Sequence, residues 1–413
     1  MKRIIIFSSL ICFFTFSSTQ KGNAQTMGFV FPKGKVKQVI PFKKLNNLTL
    51  IPVKINDAIT VDFILDTSIE HTIITEKAIG DEANLTYSKK LNMGGTIENP
   101  VNAFIASNVK LELTGGLISK FGQSVLVLER DYYNLRSTTG VDIYGIIGFD
   151  IFKRFVVYIN NSNNTITLYD TKNFQPPKGY TTTPLKVIQS KAYLKTKVTF
   201  ENWEKPELDL MIDTGANHAI LFNGDSSSFL IPTQNLEVII AKSFKNDIRG
   251  FVGRVRHLEF SGFEFENPIA TFFGSKEMYL VKESNDNKIG AIGQDILTRF
   301  NYVLDFNNEK MYLKKNNSFK NEFAYDMSGL SIVKDFNQNE RFVISNIIPN
   351  SPASKTKLKI GDIILDLNGE KITSTNFSSI ILLLRSKPGK SISIRSIRNG
   401  EILKSNFKLY KMI

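Results

Sequence analysis

Apolar positions in this chain fall mostly in short runs that alternate with polar residues, a pattern typical of β-strands. Two runs end in the same way, with an apolar stretch, then Asp-Thr, then a further apolar pair. The copies at 61–74 and 208–221 align without a gap at an offset of 147 residues. They share two aspartates, a threonine, a histidine and an isoleucine. A carboxylate in such apolar surroundings is acceptable when it shares a proton or accepts hydrogen bonds.

A second pair of matching segments follows the two Asp-Thr turns. Residues 145–155 and 290–300 are identical at seven of eleven positions, at an offset of 145 residues. Each segment continues into a hairpin, which turns at 160–164 in the first copy and at 307–308 in the second. Two anchors at nearly equal spacing predict an internal duplication. A linker with two prolines and a glycine, at 171–183, separates the halves.

Gly148 and Gly293 occupy the same position in these matching segments. We expect them to let the backbone pass close to the Asp strand, where a Cβ would collide. Asp150 and Asp295 also match, and we interpret both as structural residues that cap a short helix rather than as catalytic groups.

Composition narrows the possible classes of protein. The chain has 413 residues, of which 42% are hydrophobic and 22% charged, as in ordinary globular proteins. The basic start, the apolar run from Ile4 to Phe16 and the small residues before Gln25 predict a signal peptide at 1–24. We therefore expect a secreted protein of the periplasm or cell exterior, without a permanent membrane anchor. The single cysteine, Cys12, lies in the signal, and Ile11 before it argues against lipidation.

Charge and histidine content argue against nucleic acid and metal. The formal net charge is +13, but the basic residues are scattered, which predicts a soluble surface and no nucleic-acid site. His71 and His218 are equivalent in the repeat, yet a metal site would need a third ligand. We therefore predict no metal and no cofactor. Asp62 and Asp209, four residues before each turn, are interpreted as supporting or solvent-exposed residues.

The doubled Asp-Thr turn and the doubled apolar-Ile-Gly segment resemble the pepsin and retropepsin group of aspartic peptidases. The likeness is to its bacterial, secreted, single-chain branch, over roughly residues 36–315. It implies a mainly β, bilobal acid-protease fold with lobe 1 at 25–175 and lobe 2 at 176–317. It also implies that the Asp strand and the apolar-Gly strand interlace in each lobe, and that a monomer suffices to complete the site.

The resemblance implies an aspartic endopeptidase in which Asp66 and Asp213 are the catalytic dyad. Such a pair activates a water that hydrolyses a bound peptide or protein substrate. Thr67 and Thr214 would then hydrogen-bond across the lobe interface and hold both turns rigid. An acidic to mildly acidic pH optimum is expected.

Three glycines and one serine complete the predicted site. Gly215, and Ser68 in place of the family's glycine, would present backbone N–H groups to the carboxylates. The Gly94-Gly95 pair, 28 residues after Asp66, is the candidate tip of a flap hairpin that excludes water.

Ser68 leaves a second interpretation open, namely a peptide-binding protein that kept the bilobal cleft and lost activity. A Cβ at this turn could displace Asp66, although serine is small and its hydroxyl could donate to the dyad. A third interpretation, a structural envelope protein that uses its tail as an adaptor, leaves both Asp-Thr turns unexplained. We favour the enzyme because both aspartates and both threonines are present.

The C-terminal residues carry a separate signature, which includes Ser-Pro-Ala at 351–353 and Gly-Asp-Ile-Ile at 361–364. It resembles a PDZ domain of the bacterial, periplasmic-protease type, and implies a small α/β domain at 318–413. A helix is expected at 377–384 and a hairpin at Gly400. The resemblance implies a sheet edge and backbone N–H groups that bind a peptide C-terminus, at Gly329, Leu330, Ser331 and Ile332. Through this site the domain would recruit or gate substrate. An inert packing module remains the alternative.

Overall fold

The computed structural model describes residues 28–95, 100–120, 122–201, 204–222, 231–242, 247–273, 288–336 and 340–413. The predicted signal peptide lies outside these residues, as do residues 96–99, which follow the Gly94-Gly95 pair. The described part is mainly β, and it contains no helix long and apolar enough to cross a bilayer.

The first half of the chain forms strands β1 to β14 and three short helices. The strands are β1 Gly28–Val30, β2 Lys37–Pro41, β3 Lys43–Leu45, β4 Leu48–Ile55, β5 Ile59–Leu65, β6 Ile73–Ile74, β7 Tyr87–Gly95, β8 Pro100–Val109, β9 Leu111–Leu113, β10 Leu117–Lys120, β11 Gln123–Leu128, β12 Ile143–Ile147, β13 Phe155–Asn160 and β14 Thr165–Asp170. The helices are α1 Lys77–Glu82, α2 Leu135–Thr139 and α3 Phe149–Phe152.

The second half forms strands β15 to β27 and one described helix, α4 Gln294–Leu297. The strands are β15 Thr181–Pro184, β16 Lys186–Ile188, β17 Lys191–Thr199, β18 Glu204–Ile212, β19 Ile220–Phe222, β20 Asn235–Lys242, β21 Asp247–Arg254, β22 His257–Phe260, β23 Phe263–Glu266, β24 Ile269–Phe273, β25 Lys288–Ile292, β26 Phe300–Asp305 and β27 Lys310–Lys315.

The remaining elements form a separate small sheet with its own hydrophobic core, which we call the C-terminal domain. They are β28 Leu330–Asp335, β29 Arg341–Ile347, a 3-10 helix at Ala353–Lys355, β30 Ile363–Leu367, β31 Glu370–Lys371, α5 Phe377–Leu384, β32 Ser391–Arg398 and β33 Glu401–Lys408. The helix predicted at 377–384 and the hairpin at Gly400 are both confirmed.

Strand order repeats between the two halves of the chain. The first sheet contains the sequence β7-β8-β11-β6-β12-β5-β4-β9-β10, and the second contains β20-β21-β24-β19-β25-β18-β17-β22-β23. Each strand thus has a counterpart in the same place. A third sheet joins the halves, because β13 pairs antiparallel with β26 at Tyr158 and Val303. The duplication predicted from the two anchors therefore extends across both sheets.

Each Asp-Thr turn leaves a strand that lies in the interior of its sheet. β5 pairs in parallel with β12, with Leu65 opposite Ile147, and β18 pairs in parallel with β25, with Ile212 opposite Ile292. All four side chains are buried. Strands that are covered on both faces need continuous apolar runs, which explains the sequence before each turn.

A proline within an apolar run predicts a strand break at Pro52, and the sequence also predicts helix caps at Asp150 and Asp295; both predictions are wrong. Pro52 does not break a strand, because β4 runs through it with Pro52 opposite Asp62. On its other edge, Pro52 falls between the residues paired with β3 and those paired with β9, where its missing N–H costs no ladder bond. Asp150 and Asp295 do not cap helices either, since the residues at the N-caps are Gly148 and Gly293 and no side chain bonds there.

The C-terminal domain is attached to both halves of the body, which we define as residues 28–315. Phe323 before the domain and Ile413 after it are buried in the core cluster that the halves share. From the first half, α2 packs against β28, where the Ser137 hydroxyl donates to the Lys334 carbonyl at 2.7 Å. The Arg136 guanidinium lies 4.2 Å from the centroid of the Phe336 ring. These contacts hold β28 towards the body.

Gly148→Ala should destabilise the protein by about 1–3 kcal/mol, because a Cβ there overpacks the first Asp turn. It would lie 2.3 Å from the carbonyl oxygens of both Asp66 and Ile69. Gly179→Ala is the matched control, since a Cβ at Gly179 meets nothing within 4 Å. That control carries only the strain of its left-handed backbone, about 1 kcal/mol. Calorimetric melting temperatures measure both, and an equal loss in the two variants would contradict the close approach.

Candidate active site

The two Asp-Thr turns are joined by a reciprocal pair of hydrogen bonds. The Thr67 N–H donates to the Thr214 hydroxyl at 3.0 Å, and the Thr214 N–H donates to the Thr67 hydroxyl at 3.1 Å. Each hydroxyl then donates to the opposite strand, Thr214 to the Leu65 carbonyl at 2.9 Å and Thr67 to the Ile212 carbonyl. Both threonines are essentially inaccessible to solvent. The four bonds fix the turns relative to each other.

Asp66 and Asp213 follow from this arrangement as buried neighbours. Their exposed fractions are 7% and 6%. Asp66 accepts the Ser68 N–H at 2.7 Å, and Asp213 accepts the Gly215 N–H at 3.0 Å. Each carboxylate therefore accepts a bond from the residue two positions further along, as the repeat of the turn requires.

Burial raises the pKa of both carboxyl groups. For Asp66, the Ser68 hydroxyl and N–H and the charge of Lys191 oppose that rise in pKa. The pKa of Asp213 is raised well above its ordinary range, by burial first and by the charge of Asp66 second. Two carboxyl groups that differ in this way hold one proton between them over a range of pH.

The two Asp-Thr turns differ at their third position, which is Ser68 in the first turn and Gly215 in the second. A Cβ on Gly215 would lie 2.2 Å from the carboxyl carbon of Asp66, so glycine is required there. Ser68 has no left-handed backbone angle, and its hydroxyl lowers the pKa of Asp66. Serine at this turn therefore fits without strain and adds a donor.

Gly148, Gly293 and helix α4 pack against the two Asp-Thr turns. A Cβ on Gly148 would lie 2.3 Å from the Asp66 carbonyl, and one on Gly293 would lie 2.3 Å from the His218 carbonyl. In the second half, the Gln294 side chain also donates to the Thr214 carbonyl at 2.9 Å. The close approach expected at both glycines is therefore present.

Equivalent residues behind the two turns have different partners. In the first half, Asp150 accepts bonds from the Thr72 hydroxyl at 2.7 Å and the Thr72 N–H at 3.2 Å. The residue equivalent to Thr72 is Ala219, which offers no hydroxyl, and Asp295 lies 3.5 Å from Arg299 instead. The two equivalent aspartates are thus held by different partners, Thr72 in the first half and Arg299 in the second.

The histidines diverge as well. His71 is exposed, whereas His218 has a buried Nε2 that lacks a hydrogen-bond partner among the described residues. Burial lowers the pKa of His218 to about 4, so its ring is neutral at pH 7. No group of three His, Cys, Asp or Glu residues within the described ranges is arranged to hold a metal ion.

A cavity of about 1070 Å³ begins four residues after Asp213 and reaches the C-terminal domain. Its walls come from both halves, from the connector after β27 and from β28 and α5. Asn217 and His218 line it on the side of the second Asp turn. The β28 edge therefore opens onto a space that it shares with the body.

The N–H groups beside Gly329 already have acceptors. Those of Ser328 and Gly329 donate to the Asp326 carboxylate, and that of Leu330 donates to the Ser328 hydroxyl at 3.0 Å. Gly329 itself has a left-handed φ of 77°. Within the loop predicted to bind a peptide C-terminus, the N–H groups of Ser328 and Gly329 are thus occupied by the Asp326 carboxylate.

The structure adds groups that sequence reasoning did not single out. The Gly94-Gly95 pair lies at the end of strand β7, which pairs with β8, and the predicted flap tip between them falls outside the described residues. Strands β20 and β21 form an equivalent hairpin in the second half. The strand-order repeat would have revealed it. Lys191, whose charge lowers the pKa of both aspartates, starts β17 and carried no sequence signal. Asp62, interpreted from the sequence as a supporting or solvent-exposed residue, forms an ion pair with the exposed Lys43 at 2.7 Å.

His218 should make the fold sensitive to acid. Its pKa is about 4 in the folded chain and 6.5 when unperturbed, so between these values only the unfolded chain binds the proton. The contribution of His218 to stability therefore falls as pH drops from 6.5 to 4, by about 3 kcal/mol in total.

We expect His218→Gln to remove that fall, and His71→Gln, the equivalent change at an exposed site, to leave it in place. Melting temperatures at pH 7 and pH 4.5 measure the difference. The same acid dependence in both variants would assign the effect to other groups.

Comparisons with known proteins match different parts of the chain. It is 34% identical over 64 residues to the serine endoprotease DegS of Haemophilus influenzae, which covers 16% of this chain and 18% of that protein. It is 38% identical over 61 residues to the regulator of sigma-E protease RseP of Escherichia coli, covering 15% of this chain and 13% of that protein. The chain thus spans less than a fifth of either relative.

Among solved structures, the aspartic proteinase from Irpex lacteus matches 70% of this chain and 99% of its own, with 14% identity and a TM-score of 0.40. Residues 325–409 match the family model of the PDZ domain. The C-terminal domain is therefore a PDZ domain.

Proposed function

We propose that this chain is an aspartic endopeptidase whose PDZ domain recruits or gates peptide substrates. The observation that carries the proposal is the pair of buried carboxyl groups, Asp66 and Asp213, on equivalent turns joined through Thr67 and Thr214. The N-terminal sequence supports export, so the site of action would be the periplasm or the cell exterior.

The chemistry follows from the unequal pKa values of the pair. The ionised carboxylate takes a proton from a water as its oxygen attacks the scissile carbonyl carbon, and the protonated carboxyl donates to the carbonyl oxygen. Collapse of the resulting tetrahedral diol breaks the C–N bond and delivers a proton to the leaving amine. Ser68 and Gly215 N–H groups hold the carboxylates in place throughout. The residues that act are all supplied by one chain.

A role for the PDZ domain in this reaction is supported by its position. The β28 edge opens into the cavity that begins at Asn217, close to the second Asp turn. A peptide added to that edge would lie between the domain and the body rather than in open solvent. The bilobal arrangement and the domain would then act on the same peptide.

Asp213→Asn should abolish cleavage of a diverse peptide library between pH 3 and pH 8, because an amide neither holds nor donates the shared proton. Wild-type activity should appear as pH rises through the lower pKa of the pair and vanish above the higher one. Burial raises the pKa of both carboxyl groups, so the optimum should be mildly rather than strongly acidic. Mass spectrometry of the cleaved library measures both, and equal cleavage by the two proteins would overturn the aspartic mechanism.

The same variant has a structural control. A raised pKa means that the folded protein binds more protons than the unfolded chain, so wild-type stability falls as pH rises through that range. Asp213→Asn should lose this fall and melt higher than wild type at pH 7. Lower stability of the variant at pH 7 would show that the carboxyl groups are not buried as a pair.

Ser68→Ala and Gly215→Ala should have different effects on activity, although both variants have an alanine at the third position of the turn. Gly215→Ala places a Cβ against the Asp66 carboxyl and should reduce kcat by about a hundredfold or more. Ser68→Ala keeps the N–H donor and should stay active, with its acid limb at higher pH because Asp66 loses the hydroxyl that lowers its pKa. A pH–rate profile of the two variants checks this, and loss of activity in Ser68→Ala would contradict it.

A further inference from the structure

Two isoleucines at one end of the PDZ domain are largely exposed to solvent. The exposed fraction is 63% for Ile360 and 61% for Ile402. Six large hydrophobic side chains are exposed among the described residues, and four of them lie within 318–413, which is less than a quarter of the chain. Scattered apolar side chains are normal on a protein surface, whereas a concentration of them indicates a binding surface.

Arg398 brings the two isoleucines to the same end of the domain. Its guanidinium forms an ion pair with Asp362 at 2.6 Å and donates to the Lys357 carbonyl at 2.7 Å. These contacts fix the loop that carries Ile360 against the end of β32. Ile402 follows the turn of the β32–β33 hairpin, four residues after Arg398.

Ile402 also ends an apolar row that crosses the outer face of the PDZ sheet. It stands opposite Ile397, which stands opposite Ile363, which in turn stands opposite Val343. Directly opposed residues of antiparallel strands lie on the same face of a sheet. The three inner members of the row are partly exposed. The apolar surface at this end is therefore continuous with the sheet behind it.

Three exposed lysines flank the isoleucines. Lys357 and Lys359 precede Ile360 in its loop, and Lys404 lies two residues after Ile402, on the same face of β33. Within the ranges that the structure describes, none of the three amines forms an ion pair or a hydrogen bond. Their positive charges therefore remain available to a ligand.

The acidic groups at this end do not offset these charges. Asp362 is neutralised by Arg398, and Asp366 accepts a bond from Arg395 at 2.5 Å. Glu401 stands opposite Arg398 in the β32–β33 ladder. Each acidic group therefore lies beside an arginine, and the lysines determine the net charge of the surface.

The positive charge of the whole protein is concentrated in this domain. Residues 318–413 contain fifteen basic and eight acidic side chains, a net charge of +7 out of the +13 of the chain. Residues 25–317, three times as many, have a net charge of only +3. The field of the domain therefore favours a negatively charged partner.

This end of the domain is open to solvent among the described residues. A Cβ on Gly361 or on Gly400 would meet nothing within 4 Å. The contact with the first half of the body lies elsewhere, at β28, where Ser137 donates to Lys334. A large partner could therefore approach this end without displacing the domain from the body.

We propose that this end of the PDZ domain docks on an anionic lipid bilayer. Ile360 and Ile402 insert among the headgroups, and Lys357, Lys359 and Lys404 contact the lipid phosphates. Exposed apolar side chains within a ring of lysines are the composition that binds anionic lipid surfaces, whereas the core of a protein–protein interface is depleted in lysine. The contact would hold an exported protein on a membrane surface, independently of what its Asp dyad does.

The test uses the full chain without the predicted signal peptide. Sucrose-loaded vesicles of phosphatidylglycerol and phosphatidylcholine in equal parts are sedimented with the protein, and vesicles of phosphatidylcholine alone are the lipid control. We expect binding to the anionic vesicles only, and a loss of binding as the salt concentration rises from about 0.1 M to about 0.5 M.

Replacing the three lysines should weaken vesicle binding by about a hundredfold, because each cation near an anionic surface changes the affinity about fivefold. The variant carries Lys357→Gln, Lys359→Gln and Lys404→Gln. The partition coefficient from sedimentation measures the change.

The matched control removes the same three charges from the body. It carries Lys33→Gln, Lys35→Gln and Lys37→Gln, at three exposed positions. We expect its vesicle binding to change less than about threefold, since its lysines would not contact the bilayer. Unchanged melting temperatures would show that both triple variants are folded.

Replacing the isoleucines tests insertion separately from charge. Ile360→Ser and Ile402→Ser should each weaken binding by about tenfold, the loss of one buried apolar side chain. Val39→Ser is the control, because Val39 is 48% exposed on the body and should not reach the lipid. Cleavage of the soluble peptide library should be unchanged in all of these variants.

Four outcomes would overturn the inference. They are absence of binding to anionic vesicles, equal binding to phosphatidylcholine alone, an equal loss in the body control, and full binding by both isoleucine variants. The last result would mean adsorption by charge without insertion. Binding to soluble polyglutamate as tight as to the vesicles would instead assign the surface to an acidic polypeptide. The library cleavage assay tests the Asp dyad independently of every one of these results.

Discussion

The burial of two neighbouring carboxyl groups is the feature of this protein that costs the most free energy, and the rest of the body is arranged to keep them buried. Removing a carboxylate from water costs several kcal/mol even after the surroundings relax. That cost is lowered when the pair holds one proton and when fixed N–H groups donate hydrogen bonds to the remaining negative charge. The donors of Ser68 and Gly215 act only if both turns are immobile, which the crossed bonds of Thr67 and Thr214 ensure.

Duplication explains the symmetry of this arrangement, and divergence explains its chemistry. The same turn occurs twice, but glycine stands at 215 because the Asp66 carboxyl lies where a Cβ would be, and serine at 68 supplies a hydroxyl. The burial of both aspartates is similar, so their difference in pKa comes from these local donors and from the charge of one on the other. Small substitutions within one repeated motif are therefore sufficient to give the two carboxyl groups different pKa values.

Much of this could be read from the sequence because the informative patterns are local. The doubled turns, the supporting glycines and the helix at 377–384 each depend on a few adjacent residues. Strand continuity through Pro52 could not be read, because it depends on which neighbours each edge of β4 has. The sequence does show that Asp295 needs a different partner from Asp150, because Ala219 stands where the first half has Thr72. The docking of the PDZ domain has no local signal, because it depends on contacts such as Ser137 with Lys334, which are 197 residues apart.

The position of the PDZ groove has an energetic consequence for a peptide that reaches both sites. A peptide added to the β28 edge would lie in the same cavity that begins at Asn217. Its second contact, with the cleft, would then be intramolecular, and its affinity would be set by an effective concentration rather than by the concentration in solution. Linkage makes this effect reciprocal, so occupancy of the cleft would equally favour occupancy of the groove. A peptide that makes both contacts would therefore be selected by the spacing between them as well as by its sequence.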